Sequence, residues 1–435
     1  MDTPDLEVDA YLAHGMENKI LCDVRIWFPQ LPSDDARIEV VAIGVDADTA
    51  HPEGLAQLKS VEASEDALCR FEAHEVLVRQ SSYRGHRLAG GTRLTIGHVG
   101  RLIERSLPMS EKVGPQIRNH VQFTLSDLDY AIRAENSTVK YTGDRRVFKE
   151  DPRLLRVLEG DVSVEFSLER HWAWRKNEKD FISATSTPVL NLQRPDRLRK
   201  IPTEQLVRLA DDACLFLSLA GRHRVVVHGS VVGIGAHVER EWRNPLKRNR
   251  AVHMEGAEGL LVSEDEVENY FRAIADNWKV MQPGEKNALR SAVFSIHPLM
   301  ETTIEARFVA MFFALEGLAK LWGGGDGTLR SKLERLLARF PAAYGMIWPL
   351  FDTPDLVGLV SIRNHLAHGR ILAGEGGGAV VLANDHMQVW LERFVLGILG
   401  YHPLNTSRDW LQNQMRSQNS EVLQHRADLW RVIKG

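Results

Sequence analysis

The spacing of apolar residues changes part-way along this chain, and that change restricts the folds open to it. Up to about residue 200, turn signals separate short runs rich in β-branched and aromatic residues, which include Ile20–Trp27, Ile38–Val45, Phe71–Val78, Gln122–Leu125, Thr138–Tyr141 and Val162–Leu168. From Lys286 onward the apolar residues recur at helical spacing. The pattern predicts an α+β chain, in which a β-rich N-terminal domain, sandwich-like or barrel-like, precedes an all-α helical bundle.

Breaks in this pattern divide the chain into three segments. A helical pattern near residues 203–220 interrupts the β-rich part, and Pro283-Gly284 is the strongest boundary signal that follows. We expect a β-rich sensing or regulatory domain over residues 1–280, a helical domain over residues 285–405 and a helical tail over residues 406–435. Residues 285–435 hold 16 Lys plus Arg against 14 Asp plus Glu, a net charge of +2, whereas the first 284 residues carry −6. The helical part is therefore the better suited of the two to an anionic partner.

Composition excludes several classes of protein. The 435 residues carry a formal net charge of −4, which does not fit a nucleic-acid coat protein or a polybasic membrane binder. Three widely separated cysteines exclude a disulfide scaffold and a four-cysteine zinc site. The N-terminus lacks the pattern of a secretory signal, and the apolar runs are shorter than the ~20 residues of a spanning helix. We expect a cytoplasmic protein with no membrane association.

Four helices are predicted in the helical domain. The first covers residues 301–322 and ends at Gly323, and the second starts at Thr328. The third is predicted to start at Thr353, which is followed by a proline and an acid, and to run to His368. A loop is expected over residues 373–378, and a fourth helix from about residue 383 to residue 399.

The strongest candidate site lies at the end of the predicted third helix, in the sequence SIRNHLAHGR over residues 361–370. Arg363, Asn364 and His368 replace apolar residues where two buried stripes reach the helix end. Buried polar side chains are costly unless they are paired, so a neighbouring element, a partner chain or a ligand should satisfy them. Alternatively, the arginine and histidine only stabilise the negative end of the helix dipole.

The R-N-x-x-x-H pattern formed by Arg363, Asn364 and His368 at the end of a helix, followed by glycine, resembles the signature of the HEPN superfamily. The resemblance extends to the four-helix layout over about residues 286–400, and it implies an all-α domain that often acts as an RNase. Glu316 and Lys320 resemble the E-x-x-x-K element of some HEPN nucleases. On this reading Glu316 would orient Arg363; otherwise it forms an ordinary surface pair with Lys320.

The HEPN resemblance implies cleavage of RNA, and the residue types indicate that it would be metal-independent. No local group of His, Asp or Glu has metal-ligand spacing, so we expect neither a metal nor a cofactor. A histidine such as His368 can transfer a proton to or from the 2′-OH or the leaving 5′-oxygen, and Arg363 can neutralise charge on the phosphate, while Asn364 positions either group. One histidine does not easily act as base and acid in the same step. The HEPN resemblance implies a homodimer, in which two motifs would supply both.

The whole layout, a strand-rich N-terminal half before a HEPN-like domain, resembles ApeA-type anti-phage defence proteins. The resemblance implies an abortive-infection effector that cleaves RNA after its N-terminal domain senses a phage-derived trigger. An alternative is a non-catalytic HEPN module for dimerisation or nucleotide binding with a ligand-binding β-domain. A further alternative is that the β-domain delivers RNA through Trp172, Trp174 or the basic run Arg240–Arg250.

Overall fold

The structure is a computed structural model of the chain. It describes residues 6–14, 18–27, 37–43, 54–60, 69–84, 91–106, 120–125, 137–142, 145–150, 153–159, 162–176, 182–193, 203–234, 237–243, 261–262, 266–298, 303–340, 347–370, 376–401 and 419–434. The described residues form strands through most of the first 243 residues and helices beyond residue 266. The expected α+β class is confirmed at this level.

Fourteen strands are described, and every pairing between them is antiparallel. They are β1 (Leu6–His14), β2 (Asn18–Trp27), β3 (Arg37–Ile43), β4 (Gly54–Ser60), β5 (Cys69–Arg84), β6 (Gly91–Ser106), β7 (His120–Leu125), β8 (Ser137–Thr142), β9 (Arg145–Glu150), β10 (Arg153–Glu159), β11 (Val162–Lys176), β12 (Ile182–Gln193), β13 (Val227–Ile234) and β14 (His237–Arg243). The first six pair in the order β3-β2-β1-β4-β5-β6, and β6 also pairs with β3, so the pairings run round a closed ring. From β6 the sheet continues through β14, β13, β7, β12, β11, β9 and β8, and β10 pairs with β11.

Strands β1, β2 and β3 show why these residues form a sheet. Along β2, the side chains of Cys22, Val24 and Ile26 are buried, and the residues between them are more exposed. Among their register partners, Ala10 in β1 and Ala42, Val40 and Ile38 in β3 are buried as well. A period of two therefore places one face of all three strands in the core.

Eight helices are described. They are α1 (Thr203–Gly221), α2 (Val267–Val280), α3 (Pro283–Ile296), α4 (Ile304–Trp322), α5 (Leu329–Arg339), α6 (Leu359–Ala367), α7 (Gly376–Ile398) and α8 (Asn419–Lys434). The predicted helix near residues 203–220 is confirmed as α1, and α8 confirms a helix in the tail, of which residues 402–418 lie outside the described part.

The ends of α4 and α5 follow the local signals in the sequence. The hydroxyl of Thr303 accepts a hydrogen bond from the backbone N–H of Ala306, and that of Thr328 accepts one from Ser331. Gly323 lies at the C-terminal cap of α4, where an added Cβ would come within 2.4 Å of the carbonyl oxygen of Lys332. The predicted ends of these helices are confirmed, except that α4 begins at Ile304 rather than at residue 301.

Two predicted helix starts are wrong. Helix α6 begins at Leu359, because Thr353 and Leu356 exchange backbone hydrogen bonds in a tight turn and Asp355 has a positive φ of 61°. Residues 353–358 therefore precede the helix, and the apolar stripe expected to continue through them does not exist as a helical face. Helix α7 begins at Gly376 rather than near residue 383, so residues 376–378 of the predicted loop are helical. Gly378 there lies beside His425 of α8.

One hydrophobic core joins the helices on both sides of Pro283. It includes Phe216 of α1, Phe271 of α2, Phe312 of α4 and Phe394 of α7. The core thus extends across the predicted boundary near residues 280–285, and Pro283 is the first residue of α3 rather than part of a linker. The division into residues 1–280, 285–405 and 406–435 stays a prediction.

A buried ion pair fixes the end of α1 to α7. The guanidinium of Arg222 donates to both carboxylate oxygens of Glu392, at 3.0 and 2.6 Å. Both side chains are buried, and Gln388 donates a further hydrogen bond to Glu392. Arg222 has a positive φ of 56°, a conformation that residues other than glycine rarely adopt. The pair therefore holds a strained backbone in place.

Candidate active site

Helices α4 and α6 lie side by side, and they bring Glu316 and Arg363 together. Glu316 is on α4, next to the buried Leu315, and Arg363 is on α6, next to the buried Ile362. The Nη2 atom of Arg363 lies 2.6 Å from Oε1 of Glu316, and the two side chains are 22% and 24% exposed. Residues that are 47 positions apart thus form a half-buried ion pair.

The guanidinium of Arg363 is only partly satisfied by this contact. Its N–H groups are not aligned on Glu316 Oε1 for a hydrogen bond, although the charged atoms are close. Its Nη1 donates to Oδ1 of Asn364 at 3.0 Å, while its buried Nε has no partner among the described residues. The ring centres of Phe313 and Phe312 lie 5.3 and 5.9 Å from its Cζ, within cation–π range. The group is held in place and keeps hydrogen-bonding capacity for a ligand.

Asn364 and His368 lie at the exposed end of α6. Asn364 is exposed, and His368 is the C-terminal cap residue, also exposed, whose backbone N–H donates to the carbonyl of Asn364 at 3.3 Å. Gly369 follows with a positive φ of 71°, so the chain reverses immediately after the histidine. The His368 imidazole makes no hydrogen bond within the part of the chain that is described, and is therefore accessible to a ligand.

A second histidine in this turn, His365, did not appear among the predicted site residues. It lies one residue after Asn364 and three before His368, and its side chain is half-buried. Burial lowers the pKa of His365, and the positive charge of Arg370 adds to that effect. The imidazole is therefore neutral near pH 7, the form required of a proton acceptor. The sequence signal that could have identified His365 was its position between two residues of the motif, Asn364 and His368.

Lys320 does not pair with Glu316. Its side chain is exposed on α4, and the carboxylate makes its ion pair with Arg363 instead. The alternative of an ordinary surface pair along α4 is therefore wrong for this structure. The predicted orientation of Arg363 by Glu316 corresponds to an observed contact, while the catalytic role of either residue stays a prediction.

The segment before α6 is anchored by Asp352. Its Oδ1 accepts from the backbone N–H of Gly358 at 2.7 Å, and its Oδ2 accepts from the hydroxyl of Ser361 at 2.8 Å. The ammonium of Lys434 on α8 lies 3.2 Å from the same carboxylate. Burial alone would raise the pKa of Asp352, but these hydrogen bonds and the lysine charge outweigh it and hold the pKa below its usual range. The carboxylate, six residues upstream of the N-cap Gly358, thus ties that residue and the first turn of α6 together.

Other contacts fix the same segment from Trp348 and from α8. The indole N–H of Trp348 donates to the carbonyl of Val357 at 2.9 Å, and Arg426 of α8 donates to that carbonyl as well, also at 2.9 Å. Arg426 also donates to the hydroxyl of Thr353. A residue shortly before this segment, Trp348, and a helix distant in sequence, α8, therefore fix the residues that lead into α6.

Comparison with family models, with curated proteins and with solved structures found no match for this chain. Within the described residues, no three His, Cys, Asp or Glu side chains are grouped as metal ligands would be. No helix of the described part is long and apolar enough to cross a membrane.

Two candidates for RNA delivery lie in the β-rich part of the chain. Trp172 and Trp174 are both on β11, two residues apart and hence on one face of that strand. Residues 244–250 of the basic run lie outside the described residues, and Arg240–Arg243 belong to β14. RNA delivery by these residues stays a prediction.

Proposed function

We propose that this protein is a HEPN-type, metal-independent endoribonuclease whose site is formed by Arg363, Asn364, His368 and Glu316. The observation that carries the proposal is the half-buried ion pair of Glu316 and Arg363, which lies close to the exposed C-terminal end of α6. A carboxylate that fixes an arginine without using all its donors prepares a planar fork for phosphate oxygens. A purely structural ion pair between Glu316 and Arg363 would not require an exposed histidine, His368, about one helical turn further along α6.

In the proposed reaction the RNA supplies its own nucleophile. A base removes the proton of the 2′-OH, the 2′-oxygen bonds to the adjacent phosphorus, and the bond to the 5′-oxygen breaks as an acid protonates that oxygen. Arg363 stabilises the negative charge that builds up on the phosphate oxygens. The products are a 2′,3′-cyclic phosphate and a 5′-hydroxyl, so no water is consumed in this step. Glu316 acts through Arg363 and is a positioning residue.

The two protons require two groups, and His365 offers the second. His368 is exposed and takes the acid role, while the neutral His365 takes the base role. The homodimer predicted from the sequence would instead pair His368 of one copy with His368 of the other. A His365→Asn variant separates the two arrangements, because only the first loses activity with it.

A homodimer through the helical domain is supported by one face of α4. Phe313 and Leu321 are 51% and 43% exposed, and Gly317 lies between them with open space beyond its Cα. These three residues follow each other at four-residue spacing and so form one apolar stripe beside Arg363.

We expect light scattering to show a dimer that a Phe313→Glu variant converts to a monomer. A wild-type protein that remains monomeric at tens of micromolar, a concentration within the ordinary range of specific affinities, would contradict the dimer.

The biological role we propose is abortive infection, in which the β-rich half senses a phage-derived trigger. The support is the layout: a strand-rich part with a six-strand closed ring, barrel-like in its pairing, joined to the helical part that carries the site. The acidic charge of the first 284 residues, −6, would also oppose RNA until a trigger changes the arrangement.

The test is RNA cleavage by the purified full-length protein in the presence of EDTA. We expect fragments ending in a 2′,3′-cyclic phosphate, and losses of at least about 100-fold in Arg363→Ala and His368→Ala, the usual effect of removing a transition-state donor. Arg272→Ala, at an exposed arginine on α2, is the matched control and should keep full activity. If the wild type cleaves no RNA, or if both site variants cleave as well as the control, the protein is instead a non-catalytic module.

A further inference from the structure

A cleft of about 500 Å³ opens between α3 and α4, and none of its lining residues belongs to the Arg363 site. Small side chains face each other across the two helices and leave this space; they are Ser291 and Ser295 on α3 and Ala306 and Ala310 on α4. The volume lies within the range of about 300–1,000 Å³ usual for small-molecule sites.

Two arginines line the cleft, and its described lining contains no carboxylate. Arg290 of α3 forms an ion pair with Asp212 of α1 through its Nη2, at 2.6 Å, and its Nη1 donates to Asn287 at 3.1 Å. Arg307 of α4 uses only its Nη2, which donates to the carbonyl of Ile296 and to Gln388, at 3.1 and 3.0 Å. Its Nε is buried, and neither Nε nor Nη1 has a hydrogen-bond partner among the described residues. A guanidinium left partly unsatisfied inside a cleft is suited to an anion.

An aromatic ring stands at the rim. Phe294 of α3 is 40% exposed and lines both this cleft and a second one of about 410 Å³. Arg290 is shared as well, and the second cleft adds Arg208 and Arg224 together with one carboxylate, Asp211. The Cζ of Arg224 lies 3.2 Å from the centre of the Phe294 ring. The joined clefts thus combine four guanidinium groups with an apolar surface.

We propose that this region binds a small organic phosphate. Arg290 lines the cleft from α3 and Arg307 lines it from α4. A phosphate can place its several oxygens against both guanidinium groups at once, which the two oxygens of a carboxylate do less well. Phe294 and the two alanines take the apolar body of the ligand, since exposed aromatic surface gains most from being covered. The site is independent of the proposed nuclease site, because no residue is shared between them.

The test is binding to the purified full-length protein, measured by calorimetry without RNA. ADP is the probe that carries both a phosphate and a ring, and pyrophosphate carries the anion alone. We expect saturable binding of both, with ADP the tighter, and a loss of at least about tenfold for ADP in Arg307→Gln and Arg290→Gln. Phe294→Glu, at an exposed position, should abolish binding of both probes without loss of fold. Arg272→Gln, outside both clefts, should bind as the wild type does.

Absence of saturable binding by ADP and pyrophosphate would overturn the proposal. So would equal affinity in the wild type and in Phe294→Glu, because that variant places a carboxylate at the rim of the cleft beside the arginines. Equal affinity for ADP and pyrophosphate would contradict the proposal that the site also binds the organic part of the ligand. Because RNA cleavage is not measured in this experiment, failure of the proposed nuclease function leaves its outcome unaffected.

Discussion

Two neighbouring side chains on α7, Asp385 and His386, have pKa values that are shifted in opposite directions. Burial raises the pKa of Asp385 to about 6, against the opposing charges of Arg307 and Arg222. Burial lowers the pKa of His386 to about 4, and its Nδ1 accepts a hydrogen bond from the backbone N–H of Trp348 at 2.9 Å. The core of the helical part therefore contains a carboxyl that resists ionisation next to an imidazole that resists protonation.

These shifts predict the pH dependence of stability. Between about pH 4 and pH 6 the folded state keeps a proton on Asp385 that the unfolded chain releases, so this group makes the free energy of unfolding fall as pH rises. His386 has the opposite sign, because between about pH 4 and pH 6.5 the unfolded chain takes up a proton that the folded state excludes. In Asp385→Asn only the histidine contribution remains. We expect the free energy of unfolding of this variant to rise more steeply with pH, by up to about 1.4 kcal/mol per pH unit.

Urea unfolding at a series of pH values measures this difference. At pH 7 the Asp385→Asn protein should exceed the wild type by up to about 3 kcal/mol, the equivalent of a two-unit pKa shift. Asp276→Asn, at an exposed position on α2, is the control and should follow the wild-type curve. Parallel curves for Asp385→Asn and the wild type would show that the carboxyl ionises normally in the fold.

Arg363 and Glu316 give a second prediction at the scale of single residues. Arg363→Lys should lose most RNA cleavage, because an ammonium cannot copy a planar fork. Glu316→Gln should lower kcat more than it changes KM, because it frees the orientation of Arg363 without removing it. Both variants should melt close to the wild type, since an ion pair about a quarter exposed contributes about 1 kcal/mol or less. Full activity in both variants would argue against the site.

At the scale of elements, the C-terminal end of α6 could be predicted from the sequence and its start could not. Gly369 after His368 is a local stop signal, and the chain obeys it. The start signals at Thr353 are equally good locally, but Arg426, Trp348 and Asp352 hold the residues before Leu359 in another conformation. These partners lie up to 73 residues away, where no local pattern reaches. The pairing of Glu316 with Arg363 could be predicted from the sequence, because a half-buried carboxylate requires a cation, whichever element supplies it.

Gly358 is the element-scale position most sensitive to substitution. An added Cβ would lie 2.3 Å from the backbone carbon of Phe351 and 2.6 Å from its oxygen, and backbone atoms cannot move aside as a flexible side chain can. We expect Gly358→Ala to destabilise the protein by about 1–3 kcal/mol, the usual cost of overpacking. Gly284→Ala, in the first turn of α3 with open space around it, should instead stabilise by about 0.4–1 kcal/mol. Thermal melting of the two variants provides the comparison, and equal melting temperatures would refute it.

At the scale of the whole molecule, the helices do not divide at Pro283. Asp212 of α1 accepts hydrogen bonds from Trp278 of α2 and Arg290 of α3, and Arg222 is paired with the buried Glu392. Long-range pairing also closes the strand ring, in which β3 meets β6 about 50 residues later. The alternation of apolar residues predicted the strands, but it contains no information about which strand lies beside which.

We therefore predict that residues 285–435 do not fold alone. Removing the first 284 residues leaves Glu392 buried without Arg222, and an uncompensated buried charge costs about 3–5 kcal/mol, a large part of the stability of most domains. Circular dichroism of the fragment should show no cooperative melting, while the full chain melts cooperatively. A fragment that melts as sharply as the full chain would place the domain boundary where the sequence suggested.

The support that α8 gives to α6 also has a consequence for timing during synthesis. Arg426 and Lys434 hold the segment before α6, yet they are translated well after it. At about 5–20 residues per second, the 67 residues from His368 to Lys434 occupy the ribosome for about 3–13 s. During that interval Arg363 has been synthesised, but the segment before its helix lacks the contacts that α8 supplies. The nascent chain thus carries Arg363 before α8 can fix the start of α6, and the complete arrangement of these helices forms only after α8 has emerged from the ribosome.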